Sequence, residues 1–90
     1  MHATHKDQLD RLRRIEGQVR GLLAMVEDER YCIDLLTQLR AIQAALRKVE
    51  EQVLRTHVEH CVAAAVKSGR PAEQRKKIDE LLDVVGRFGR

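Results

Sequence analysis

Ninety residues make one small domain, and a content of 43% hydrophobic against 34% charged residues excludes a disordered chain. Tyr31 and Phe88 are the whole aromatic complement, and proline occurs once, so the core must be aliphatic and an all-α fold is expected. A formal charge of +3 is too mild to establish nucleic-acid binding alone. No apolar run is long enough to cross a bilayer and no secretory h-region opens the chain, so a cytoplasmic location with reduced thiols is expected.

Residues 1–6 are polar and are expected to form a flexible arm. Leu9, Leu12, Ile15, Val19, Leu22 and Val26 then step by three or four, which predicts an amphipathic helix from about Asp7 to Asp28. Gly17 and Gly21 inside it cost about 1 kcal/mol each relative to Ala. Their expected use is to let a neighbouring helix come close. A second, much longer helix is predicted from Tyr31 to about Lys67, since neither Gly nor Pro interrupts that stretch. At the standard rise it exceeds roughly 50 Å, far above the average helix. It overhangs the first helix, and its uncovered apolar side calls for a second chain. Two antiparallel hairpins then give a four-helix-bundle dimer. Ser68-Gly69-Arg70-Pro71 is the clearest break: Gly69 suits a helix end and Pro71 a helix start. A third helix is predicted over about Ala72–Val85, with Ile78, Leu81, Leu82 and Val85 inward, Lys76 and Lys77 opposite, and Gly86 and Gly89 fraying its end.

Cys32, His57 and Cys61 carry the chemistry. His57 and Cys61 are four apart, one helical turn, and share a face. Cys32 lies 25 residues before His57, roughly 37 Å along a continuous helix. One chain therefore cannot gather all three, whereas an antiparallel second copy places its Cys32 beside the first copy's pair. Two thiolates and a neutral imidazole make a soft, low-coordinate site that suits Cu(I). Ni(II), Co(II) or Zn(II) wants a fourth ligand, for which His60, His2 and His5 are the candidates. His60 points about 100° away from Cys61 and is expected to be exposed. Met25 is expected in the core.

At these residues the chain resembles the CsoR/RcnR family of bacterial metal-sensitive repressors over almost its whole length. The likeness covers Arg11-Leu12-Arg13-Arg14-Ile15-Glu16-Gly17-Gln18-Val19, the Tyr31-Cys32 pair, the stretch from Gln38 to Ala45, and His57-x-x-x-Cys61. The Cys-His-Cys pattern matches the copper-sensing branch. The nickel/cobalt branch has His in place of Cys61, the formaldehyde branch lacks the second Cys, and the persulfide branch lacks the His. A nickel branch with Cys-His-Cys plus an N-terminal His keeps His2 and His5 in play. The resemblance implies a single helical metal-sensing and DNA-binding domain over 1–90, assembled as a dimer of dimers. It implies Cu(I) held by Cys32 of one subunit with His57 and Cys61 of the other. It also implies an outer shell to the histidine from Tyr31 and Glu80, the latter matched after a gap at the Pro71 loop.

No helix-turn-helix or zinc finger is visible, so contact with operator DNA is expected from a basic surface, with Arg11, Arg14, Arg47 and Lys48 as candidates. Arg55 is expected to pair locally with Glu51. In such a protein the apo tetramer represses. If Cu(I) binds the DNA-free state more tightly, it must weaken DNA binding by the same factor, releasing metal efflux or homeostasis genes. The alternatives are a nickel- or persulfide-responsive repressor and a metal carrier with no DNA role. A thiol enzyme is disfavoured, because the cysteines form no CxxC pair and no oxyanion site is legible.

Overall fold

The computed structural model describes residues 4–88, and these are helical with no strand among them. A short 3-10 turn, Lys6–Gln8, leads into α1 (Leu9–Glu27), followed by α2 (Cys32–Ser68) and α3 (Pro71–Phe88). Each lies where the sequence put it, to within about a turn. Residues 1–3 of the expected arm lie outside the described residues. Lys6 is already in the 3-10 turn, His5 is half-buried, and Gln8 is buried at 5% exposure.

The ends of α1 carry no side-chain cap and are set by the backbone. At the end of α1, the Asp28 amide donates to the Ala24 carbonyl, the Glu29 amide to Val26 and the Arg30 amide to Met25, at 2.9, 3.1 and 3.0 Å. The last two bonds form a Schellman closure, which requires a left-handed residue at its corner. That residue is Glu29, at φ 55°, where a side chain costs roughly 1–2 kcal/mol and glycine is the usual choice. The Tyr31 carbonyl accepts from the Asp34 and Leu35 amides and so opens α2. Its other end follows the expected pattern. Gly69 has φ 62°, Ser68 Oγ donates to the Ala65 carbonyl at 2.9 Å, and Pro71 starts α3 while the Gln74 amide donates to the Arg70 carbonyl.

The chain divides into two compact units. One is Lys6–Glu50, comprising the 3-10 turn, α1 and the first part of α2. Its buried hydrophobic residues are Ile15 and Ile42. Complete burial of such a side chain contributes about 1.5–3 kcal/mol. Of the stripe expected on α1, Leu9, Leu12, Val19 and Val26 are instead exposed, as are Ile33, Leu36, Leu39 and Leu46 of α2. A Cβ on Gly17 would meet only the Arg20 guanidinium at 3.8 Å, and one on Gly21 nothing within 4 Å. No helix of this chain approaches closely at either glycine among the described residues. This unit thus leaves a broad apolar surface open within one chain.

The other unit carries α2 from Glu51 onward and α3, with Thr4 and His5 of the described N-terminal residues. Cys61 and Ala65 are its buried apolar residues. The inward face of α3 is rotated from the expected one. Gln74, Lys77, Leu81 and Val84 are the half-buried positions, while Ile78, Leu82 and Val85 are exposed. Lys77 therefore does not lie opposite the core. Its aliphatic stem can cover apolar surface while its ammonium stays in water. Gly86 does not end α3, which continues to Phe88. Among the described residues no helix is long and apolar enough to cross a membrane.

Candidate metal centre

Cys61 is the anchored member of the three candidate donors. It is 8% exposed, and its Sγ–H donates to the Lys77 carbonyl of α3 at 3.6 Å, a weak bond for a weak donor. Around it, Val62, Ala65 and Val66 of α2 and Ile78 and Leu81 of α3 line an apolar groove of about 350 Å³. His57 precedes Cys61 by one turn of α2, and its ring is exposed. The pair thus presents one covered sulfur and one open imidazole.

Cys32 differs. It is the first residue of α2, a free and exposed thiol. It belongs to the Lys6–Glu50 unit, whereas His57 and Cys61 belong to the other. Among the described residues no three His, Cys, Asp or Glu side chains gather into a group that could hold a metal within one chain.

The flanking candidates are placed as follows. Tyr31 is 67% exposed and Glu80 is exposed. Neither side chain makes a hydrogen bond among the described residues, so no outer-shell bond to His57 is made within one chain. His60 is exposed, as expected. His5 is half-buried and its Nδ1 has no hydrogen-bond partner, while His2 lies outside the described residues. Met25 is half-buried.

The basic candidates Arg11 and Arg14 on α1 and Arg47 and Lys48 on α2 are all exposed and all in the Lys6–Glu50 unit. None of them is in an ion pair. The pairs among the described residues are Arg13–Asp10 at 3.5 Å, Arg30–Asp34 at 3.7 Å and Arg87–Asp83 at 2.6 Å. The expected Arg55–Glu51 pair is not among them. Arg11 and Arg14 stand three apart, so their guanidiniums share a face of α1 and are free to meet phosphate.

Comparison with known proteins gives a consistent picture. A family profile described as metal-sensitive transcriptional repressor matches residues 4–87. The copper-sensing transcriptional repressor CsoR of Bacillus subtilis is 52% identical over 84 residues, covering 92% of this chain and 80% of that protein. The copper-sensing transcriptional repressor RicR of Mycobacterium tuberculosis is 52% identical over 66 residues, covering 73% of this chain and 69% of that protein. The crystal structure of the copper-sensing repressor CsoR with Cu(I) from Geobacillus thermodenitrificans matches with a TM-score of 0.76 at 47% identity, covering 100% of this chain and 94% of that one.

Proposed function

The chain belongs to the family of metal-sensitive transcriptional repressors, and from that premise we propose that it is a cytoplasmic, Cu(I)-responsive repressor working as a homodimer or dimer of dimers. The observation that carries this reading is the distribution of soft donors along α2. Cys32 stands at its first residue and His57 and Cys61 stand well down its length, with no metal-holding group assembled among the described residues of one chain. Relatives at 52% identity bear the name copper-sensing.

The residues fit the ion. Two thiols and one imidazole are a soft, low-coordinate donor set, which Cu(I) accepts and which harder divalent ions find incomplete. Bound there, Cu(I) would supply a soft centre for donors from two chains, held by Cys32 of one and His57 and Cys61 of the other. His57 and Cys61 of one protomer offer a donor pair at fixed helical spacing, and the second copy's exposed N-terminal end of α2 brings the third donor. Tyr31, next to that third donor, and Glu80 on α3 would hold the imidazole from outside by hydrogen bonding to its free nitrogen. In the free protein the Cys61 Sγ–H donates to the Lys77 carbonyl of α3; a metal takes the cysteine as thiolate, so loading would remove that donor and release this contact with α3.

Arg11, Arg14, Arg47 and Lys48 bind the DNA backbone in the apo state. Differential affinity does the rest: whatever factor DNA loses to the ion, the ion loses to DNA. Release of the operator then frees genes for metal export or storage.

An electrophoretic shift of the DNA upstream of its own gene tests this, with Cu(I), Ni(II) or a persulfide donor added. Loss of the shift with Cu(I) alone is expected, and Cys32→Ala, His57→Ala and Cys61→Ala should keep the shift and ignore copper. Release by persulfide that survives in His57→Ala would instead mark a thiol-chemistry sensor. Release by Ni(II) that depends on His2, His5 or His60 would mark a nickel sensor. Copper binding with no DNA shift at all would mark a carrier.

A further inference from the structure

Outside the donors and the four basic candidates, the most concentrated charge lies where α2 passes into α3. Lys67, Arg70, Arg75 and Lys76 are all exposed and all fall in the Glu51–Arg90 unit. Between Lys67 and Lys77, Glu73 is the single acid. Helix spacing offers these cations partners. Glu73 stands three residues ahead of Lys76, and Asp79 stands four beyond Arg75, the separations at which side chains meet on a helix. Neither pair forms among the described residues, although Arg87 and Asp83 on the same helix meet at 2.6 Å. The four cations thus stand outside every ion pair among the described residues.

We propose that Lys67, Arg70, Arg75 and Lys76 form a second DNA-contacting surface, distinct from the Arg11–Arg14 face, that binds phosphates without reading bases. This rests on the repressor reading above, which supplies the polyanion. Four unpaired cations within ten residues match closely spaced phosphates, and exposed, flexible stems suit positioning contacts better than base readout. Glu73 sits among them as a repulsive element that limits this sequence-independent affinity.

The test is a salt titration of binding, with the apo protein, the upstream duplex and a random-sequence duplex of equal length. The variant Lys67→Gln/Arg70→Gln/Arg75→Gln/Lys76→Gln should weaken both duplexes by the same factor. Its slope of log affinity against log salt should fall by about 0.9 for each phosphate no longer neutralised. The single variant Glu73→Gln should tighten both duplexes in parallel. It decides the matter should the fourfold variant fold poorly by circular dichroism. An unchanged slope in the fourfold variant, or an unchanged affinity in Glu73→Gln, overturns the proposal. The two readings fail separately. Wild-type protein that shifts the upstream duplex and releases it with Cu(I), beside variants of unaltered slope, sinks this surface alone. Protein whose slope falls in the fourfold variant but which never prefers the upstream duplex sinks the repressor reading and leaves the surface standing.

Discussion

Cys61 and Cys32 carry the same thiol in opposite surroundings, and substitutions at them should separate fold from function. In Cys61→Ser the hydroxyl can still donate to the Lys77 carbonyl, so thermal stability should change by less than about 1 kcal/mol, while Cu(I) affinity measured by competition with a chelator collapses. A large loss of stability would show that the sulfur matters mainly as packing. Glu29 is the other residue whose behaviour follows from its place. Its left-handed backbone closes α1, and Glu29→Gly should raise stability by about 0.5–1 kcal/mol in a urea titration. The three candidate donors were proposed from residue type and spacing alone. Their unequal cover was not legible there, because burial of Cys61 depends on α3 arriving over it, and nothing in the spacing of Cys61 and Lys77 announces that hydrogen bond. Glu29 was equally hidden, since the residue expected at such a corner is glycine.

At the scale of elements, the order and lengths of the helices were written in the sequence by uninterrupted apolar stepping and by the Gly69–Pro71 break. Which face each helix turns inward was less legible. On α3 the inward face runs through Gln74 and Lys77, because long side chains can lay their methylene stems against a neighbour, a choice that hydropathy patterns score as polar. The two left-handed corners make a matched experiment. A Cβ at Gly69 would meet nothing within 4 Å, so Gly69→Ala should lose about 1 kcal/mol purely through its φ of 62°. Substitution thus has opposite signs at the two helix ends. Calorimetry that found Gly69→Ala neutral would remove the backbone argument at both corners.

At the scale of the whole molecule, the open apolar surface of the Lys6–Glu50 unit bears directly on assembly. Leu36 is 54% exposed. If it lies against a second copy, Leu36→Glu should shift the protein to monomers in sedimentation velocity and abolish stoichiometric Cu(I) uptake, with helicity largely kept. A tetramer unaffected by this change would move the interface elsewhere. The expectation of a partner came from length and composition, since an aliphatic chain with one overlong helix has little of its own to cover it. The choice of surface was not legible there, because so many apolar positions around α2 are open. That helix is unbroken from Cys32 to Ser68, and this has a genetic consequence. On the proposed arrangement, each chain of a twofold pair would lend its first cysteine to one pocket and its imidazole and second sulfur to the other. Two crippled alleles, Cys32→Ala and His57→Ala/Cys61→Ala, should therefore rescue each other when co-expressed, since the mixed pair keeps one pocket whole and ruins the other.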